Sequence, residues 1–361
     1  MNDKTPSLCS ETKISPMEIT LEDCLACSGC EDAANSLFAT KIPNPKNINF
    51  VFTPQSKINL MGYFKSSKMA DLPIFRLFQR FSTNLENFEK FLYEFFSFLG
   101  SDYVLDTSYF RKTHLELVCK EYIGRSGDLL ITSDCPGVVS YVEKKFPNFV
   151  QNLSKVQTIN KMAEIFLEEN SKKKSCFVFP CLDKKLENKN GDGNFFITTR
   201  EFIQFLESVD PIELENFEFI DNIDTPIYSK VQMSIGSSTG GYCEYLLKST
   251  GENFSVTTKN NFYEIYSVKS EKFLKIRGLK NVINFLNRNK IRKESNFTFI
   301  EAFICTECIS GPAQIEYKEN QLEIYKKREF LEGILINNLK FGAEREFQSN
   351  NQKILEFNVD W

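Results

Sequence analysis

Near its start the chain carries Cys24-Leu-Ala-Cys27-Ser-Gly-Cys30, three thiols at one repeated spacing. No other feature constrains the fold as strongly. Three thiolates spaced this way on a loop reach three corners of one iron–sulfur cubane. Ser28-Gly29 lets the backbone curl round the inorganic core, where a bulky residue would hinder it. A single Cys-x2-Cys pair also suits zinc, but a third Cys at the same spacing favours a cluster. A cubane needs a fourth ligand. The bacterial ferredoxin pattern would place a Cys and then a Pro at positions that here are Ala34 and Asn35. Cys9 is the nearest spare thiol and becomes the fourth candidate, because three thiolates leave the site incomplete.

The chain has 11 cysteines and one histidine. An odd number of thiols behind a polar N-terminus (Met1-Asn2-Asp3-Lys4-Thr5, with no apolar signal core) argues against a disulfide framework. Metal binding or plain burial remains. The lone His114 argues against histidine-based catalysis and against a Cys2His2 zinc site; within a helix over Lys112–Tyr122 it reads as a surface or half-buried structural residue. The net charge is −4 with acids and bases mixed, so no basic stripe supports a nucleic-acid partner. No apolar run approaches the ~18 residues of a membrane span, and Phe91–Leu99 is short and interrupted by Glu94. A soluble intracellular protein is expected.

The 361 residues suggest one large α/β unit with a small appendage, and 42% apolar residues suffice for a sizeable core. The 35 Phe read as core packing rather than an aromatic ligand site. Residues 1–46 are polar and Cys-rich and end in Ile42-Pro43-Asn44-Pro45-Lys46, a small cluster-binding segment with little core of its own. From Asn47 short apolar runs alternate with amphipathic stretches, which predicts βα units and a mostly parallel sheet over residues 47–340. Strands are expected at Ile48–Thr53, Tyr103–Leu105, Leu129–Thr132, Cys176–Phe179 and Phe297–Ile304. Helices are expected at Leu85–Leu99, Gly137–Lys145, Lys161–Glu169, Thr199–Leu206 and Leu279–Asn289. Lys184–Asn194 reads as a loop, 250–278 as hairpin strands, and 341–361 as a polar tail.

A second set of thiols is dispersed. Cys135 lies in Thr132-Ser-Asp-Cys135-Pro-Gly137, Cys181 in Phe179-Pro180-Cys181, and Cys305 and Cys308 follow Phe297–Ile304. Each stands at or just beyond the carboxyl end of an apolar run, the edge where open α/β sheets bind ligands. Four thiols arriving there make a second four-thiolate site. Cys119, Cys176 and Cys243 fall inside apolar or helical patterns and read as core. The run Ile235-Gly-Ser-Ser-Thr-Gly-Gly-Tyr242 lacks the Lys-Ser/Thr of a phosphate loop and reads as a tight turn into a helix over Tyr242–Lys248. Lys172-Lys-Lys174 reads as a solvated loop.

In order, these motifs resemble the iron-only-hydrogenase-like cytosolic iron–sulfur assembly factors, also called the nuclear prelamin A recognition factor-like family. The residues that carry the likeness are Ile19–Cys30, Thr53–Ser56, Asp102–Ser108, Thr132–Gly137, Pro180–Glu187, Gly236–Tyr242 and Cys305–Gln314. The resemblance implies a two-lobed iron-only-hydrogenase-like α/β fold, with parallel sheets flanked by helices, after a small ferredoxin-like segment. It implies two 4Fe-4S clusters, one on Cys9, Cys24, Cys27 and Cys30 and one between the lobes on Cys135, Cys181, Cys305 and Cys308. The implied role is delivery of pre-assembled clusters to cytosolic and nuclear apoproteins, after an upstream scaffold and through a targeting complex. No membrane or nucleic-acid partner is implied, and the compartment is the cytoplasm, with the nucleus as a second site. Trp361, the only Trp and the last residue, resembles the C-terminal aromatic signal that meets the targeting complex.

The family pattern is broken in places. Its last motif spaces the thiols Cys-x3-Cys before several glycines; here it reads Cys305-Thr-Glu-Cys308-Ile-Ser-Gly-Pro-Ala. Either the loop compensates or one of the two does not bind. An active iron-only hydrogenase is the enzymatic alternative, and Lys184 is the residue that could anchor its di-iron group. Against it, Asp134 stands where that enzyme has a relay thiol, Phe303 replaces a methionine, and the glycine run is interrupted. A zinc-stabilised interaction protein is the other alternative; the triple Cys argues against it.

Overall fold

Two sheets form from the apolar runs, and helices cover both faces of each. The structure, a computed structural model, describes residues 46–315 except 67–71, 126, 188–192, 210–213, 221–222, 233–238, 251–254, 261–262, 269–270, 293–296, 306–307 and 312. In chain order the elements are β1 (Asn49–Phe52), α1 (Pro54–Ser66), α2 (Pro73–Phe81), α3 (Leu85–Phe98), β2 (Val104–Asp106), α4 (Arg111–Gly124), β3 (Leu130–Ile131), α5 (Pro136–Lys145) and α6 (Ile159–Asn170). There follow β4 (Ser175–Phe179), β5 (Phe195–Thr198), α7 (Thr199–Glu207), α8 (Tyr242–Thr250), β6 (Ser255–Asn260), β7 (Tyr263–Val268), β8 (Glu271–Arg277), α9 (Leu279–Arg292) and β9 (Phe297–Phe303). Among the described residues no helix is long and apolar enough to cross a membrane.

The first sheet runs β2-β1-β4-β5 and is parallel throughout. Alternate side chains of each strand face opposite ways, and the buried clusters divide accordingly. Phe50, Phe52, Cys176, Val178 and Ile197 pack against α1, α2, α3 and α7, while Val51, Leu105, Phe177, Phe179 and Phe196 pack against α6. The Phe-rich composition is spent here. In α3, Phe88, Phe91, Leu92, Phe95 and Phe96 recur at three- and four-residue spacing and are all buried. Phe78 of α2 meets Phe91 edge-on at 4.8 Å, and Phe96 lies 3.9 Å from Phe50.

Local chemistry sets the helix starts. Asn84 accepts from the Asn87 N–H at 2.9 Å to cap α3. Thr198 and Glu201 form a reciprocal capping box at α7, with bonds of 3.1 and 2.7 Å.

The second sheet runs β3-β9-β8-β7-β6. β3, β9 and β8 are parallel, whereas β7 and β6 turn back antiparallel. This edge is the pair of hairpins expected over 250–278. β6, β7 and β8 follow one another with too few residues between them for a crossover helix, so they fold as hairpins. Phe299 and Phe303 of β9 face α4 and α8, while Ile300 and Ala302 face α5 and α9.

Every expected strand and helix is present with ends shifted by a few residues. The structure adds α1, α2 and β5, and a short 3-10 helix at Leu182–Glu187 inside the expected loop. α1 escapes a periodicity reading because its first eight residues are buried all round, polar and apolar alike. The expected segment 1–46, save its last residue, and the tail 341–361 lie outside the described residues.

Candidate metal centre

Cys135, Cys181, Cys305 and Cys308 arrive from both sheets. Cys135 follows β3 and occupies the N-cap position of α5, with Pro136 at the first helical turn. Its approach loop is tied to β9, since Thr132 N donates to Ile300 O at 2.9 Å and Ala302 N donates to Thr132 Oγ1 at 3.2 Å. Cys181 follows β4 of the first sheet, just ahead of the Leu182–Glu187 turn. Cys305 follows β9, and Cys308 opens the short 3-10 helix Cys308–Ser310.

The segment after Cys308 crosses to the Cys181 loop. Ala313 N donates to Pro180 O at 3.1 Å, and Gly311 N donates to Cys308 O at 3.0 Å. A Cβ at Gly311 would collide with the Pro180 carbonyl, so only glycine permits this approach. Gly137 is constrained likewise, because a Cβ there would stand 2.6 Å from Asp183 Oδ2 and 2.9 Å from Ile304 Cγ1. The Cys135 turn and the Cys181 turn are thus in direct contact.

All four thiols are half-buried and unpaired by disulfides. They act on one another electrostatically. Burial pushes Cys308 up to about 12, and Cys135 adds to the rise. Burial raises Cys305 well above the usual thiol range, with Cys135, Cys308 and Asp183 adding to it. Cys181 is raised for the same reason, with Asp183, Cys305 and Cys308 contributing. Cys135 is pushed to about 11 by burial, while backbone N–H groups of Ile304 and Val138 work the other way.

Desolvated thiols that repel one another as thiolates form a site needing positive charge among them. A ferric or ferrous core supplies it, and four cysteine sulfurs with no histidine are the donor set of an iron–sulfur cluster. Among the described residues no three His, Cys, Asp or Glu side chains close in as they would on a single ion. Four sulfurs without a nitrogen donor fit a cluster.

Charged side chains frame the thiols. Lys184 donates from Nζ to Asp134 O and to Glu187 Oε1, both at 3.0 Å. Burial works against its charge, yet Glu187, Asp134, Cys181 and Cys308 outweigh burial and hold the ammonium protonated. Burial pushes the Asp183 carboxyl up to about 7, against the pull of Lys184.

His114, expected as a surface or half-buried structural residue, is structural but fully buried beneath α8, with its Nδ1 and the Tyr242 hydroxyl 3.0 Å apart. Burial lowers its pKa and keeps it neutral, a core role that a lone polar residue in a helical pattern does not reveal. Cys119, Cys176 and Cys243 are buried core residues, as expected. Cys9, Cys24, Cys27, Cys30 and Trp361 lie outside the described residues.

Sequence reasoning missed the contacts that join the loops carrying the thiols. Asp134 and Glu187 grip Lys184, and Gly311 and Gly137 permit the loop contacts; only their nearness to the Cys motifs marks them in the sequence.

Residues 70–312 match the model of the iron only hydrogenase large subunit, C-terminal domain. The chain is 31% identical over 368 aligned residues to the cytosolic Fe-S cluster assembly factor NAR1 of Encephalitozoon cuniculi (strain GB-M1), covering 96% of this chain and 95% of that one. It is 29% identical to the "Probable cytosolic Fe-S cluster assembly factor GK14772" of Drosophila willistoni, over 87% of this chain and 78% of the relative. In fold it resembles the FeFe-hydrogenase HydA1 of Chlamydomonas reinhardtii, with a TM-score of 0.57 at 17% identity, over 86% of this chain and 94% of that one. On the family model and on a relative of this identity and coverage, the chain belongs to the iron-only-hydrogenase-like family of cytosolic iron–sulfur cluster assembly factors.

Proposed function

We propose that this protein works in cytosolic iron–sulfur cluster assembly, holding two 4Fe-4S clusters and helping pass pre-assembled clusters to cytosolic and nuclear apoproteins. The observation that carries the reading is the convergence of Cys135, Cys181, Cys305 and Cys308 from two sheets into one mutually interacting, desolvated group. These four hold the inner cluster, between a first lobe on the parallel sheet and a second on the mixed one. Cys9, Cys24, Cys27 and Cys30 hold the outer cluster within the segment 1–46, followed by the hydrogenase-like domain 47–340 and the tail 341–361. A bound cubane supplies iron and sulfide in a form that also carries one electron.

The chain supplies unequal protection. The inner thiols are carried on turns that pack tightly on one another, Gly137 on Ile304 and Asp183 and Gly311 on Pro180, so the inner cluster is the stable and partly structural one. The outer segment has little apolar sequence to shield its cluster, which makes that cluster the labile one. The protein receives clusters from upstream scaffold proteins and meets the targeting complex through Trp361, acting in the cytoplasm and on clients that include nuclear ones.

The chain is a carrier and not a hydrogenase. Beside the first inner ligand stands Asp134, whose carbonyl and carboxylate both face Lys184, at 3.0 and 4.0 Å. The ammonium that could anchor a di-iron group is therefore engaged with Asp134 and Glu187, and no relay thiol is present at that position.

The test is iron and acid-labile sulfide per chain after anaerobic reconstitution, with electron paramagnetic resonance of the reduced protein. About eight of each, with two interacting cubane signals, supports both sites. About four of each removes one site, and the Cys305–Cys308 pair is the first suspect. Zinc without iron ends the reading.

A further inference from the structure

A continuous chain of polar contacts runs from one sheet to the other beside the thiols. It begins on the first sheet, where Thr158 caps α6 and Ala163 and Leu167 of that helix pack on the strands. Glu187 closes the 3-10 turn that follows Cys181. Its Oε2 accepts from Thr158 Oγ1 at 3.1 Å and from Asn160 Nδ2 at 3.0 Å. Its other oxygen, Oε1, accepts from Lys184 Nζ at 3.0 Å. Lys184 then donates to the backbone carbonyl of Asp134, also at 3.0 Å, in the loop that follows β3 of the second sheet. The side chains of Lys184 and Glu187 are 12% and 13% exposed, so water competes little for these bonds.

The far end of this chain lands on a ligand. Lys184 stands three residues past Cys181, and Asp134 immediately precedes Cys135. The carbonyl of Asp134 and the nitrogen of Cys135 share one planar peptide, so a bond to that oxygen fixes the plane from which Cys135 departs. A lysine stem by itself samples many rotamers. Glu187, held in turn by Thr158 and Asn160, selects the one that reaches Asp134. Lys185, next in the same turn, goes elsewhere and pairs with Glu201 of α7 at 2.7 Å. The packing of Gly137 on Asp183 brings the two turns together, but such contact sets a separation and not a register. A directional, charge-assisted hydrogen bond sets the register.

We propose that Lys184 is a positioning residue for the inner cluster, a clasp that locks the Cys135 loop of the second lobe to the Cys181 turn of the first, with Glu187 as its orienter. The proposal rests on the reading that Cys135, Cys181, Cys305 and Cys308 hold a cluster. The clasp acts in two ways. It keeps ligands from two sheets in place before the cluster arrives, so binding has less order to impose and iron leaves more slowly. It also keeps a positive charge beside the Cys135 peptide in a poorly solvated place, where it favours the reduced and more negative cluster.

The test uses the full chain, reconstituted without oxygen, as wild type, Lys184→Met, Lys184→Arg and a double variant joining Lys184→Met to Glu187→Gln. Two quantities are read for the cluster whose signal disappears in Cys181→Ala: its reduction potential, and its rate of iron loss to a chelator. Methionine keeps the bulk of the stem and removes the ammonium. Lys184→Met should move the potential to more negative values and speed iron loss on the order of ten-fold, with the other cluster unchanged. Lys184→Arg keeps the charge and its donors, so its potential should stay near wild type and its iron loss should be slower than in Lys184→Met. The double variant also removes the carboxylate that Lys184→Met leaves buried without its partner. One charge of each sign has then gone, so the potential should return toward wild type, while iron loss stays fast because the Asp134 carbonyl still lacks its donor. That comparison with wild type stands even if Lys184→Met alone misfolds. Wild-type values of both quantities in Lys184→Met, a Lys184→Arg potential as negative as that of Lys184→Met, or wild-type iron retention in the double variant would overturn the clasp while leaving the cluster site intact. A Cys181→Ala protein that keeps all of its iron would instead overturn the four-thiolate site, and the role of Lys184 with it.

Discussion

Lys275→Met should be far more damaging than its place in a strand interior suggests. The ammonium is 1% exposed and lies 2.7 Å from Glu244 Oε1 and 3.4 Å from Glu301 Oε1. At an effective dielectric of about 20, charges at the longer of these distances attract by about 5 kcal/mol. Glu244 is 26% exposed and can turn to water when its partner is lost, so its share is small. Glu301 is 0% exposed and cannot. Removing one member of a buried pair costs about 3–5 kcal/mol, because the other charge stays buried alone. Burial already pushes the Glu301 carboxyl up, Lys275 opposes that rise, and Glu244 adds to it. Without Lys275 it rises further and the group takes up a proton.

A carboxyl whose pKa is higher in the folded chain binds its proton more tightly when folded. Acid then favours the fold, and the loss grows as the pH climbs through the raised value. Urea unfolding under anaerobic conditions at pH 6 and pH 8 measures this. The expected result is a loss of about 3–5 kcal/mol at the higher pH and a smaller one at the lower. Adding Glu301→Gln to the variant should recover part of the loss and flatten the pH dependence. A loss below about 1 kcal/mol at pH 8, or one equal at both pH values, would refute the reasoning.

Burial pushes the Glu89 carboxyl up to about 7, with Lys57 opposing and Asp106 adding. Wild-type stability should therefore fall as the pH rises from 4.5 to about 7, and Glu89→Gln should flatten the unfolding profile across that window. Cys24→Ala should lower the iron content by about one cluster and leave the fold intact, whereas Cys135→Ala should reduce soluble yield; equal iron and equal solubility would end the division between labile and structural clusters. Deleting Trp361 should weaken binding to the targeting complex in a pull-down of the full chain, and unchanged binding would remove Trp361 from the interface.

The β-strands that lead into Cys135, Cys181 and Cys305 are legible in the sequence because each is a short apolar run ended by turn residues. The helices that cover them are legible where one face is polar, as in α3 and α9. α1 is not, since burial on every side removes the periodicity, and its Lys57 is an interior charge matched by Asp106 at 2.9 Å. No sequence rule pairs residues 57 and 106. The antiparallel edge of the second sheet shows itself in the short spacing of its strands, but its union with β9 in one sheet does not.

The same division holds at the site. Residue type alone set the chemistry: eleven thiols, one histidine and a repeated Cys spacing leave few ligands but iron and sulfide. Position after an apolar run marked Cys135, Cys181, Cys305 and Cys308, because a parallel strand delivers its last residue to the binding edge. What only the tertiary structure decided is which groups restrain those thiols. Thr239 reaches Cys308 across 69 residues and Lys184 reaches Asp134 across 50. Such contacts arise when distant elements pack together, within the second sheet's layers for Thr239 and between the two sheets for Lys184, and the energy that selects them lies in burying charge and backbone together, which no local stretch of chain encodes.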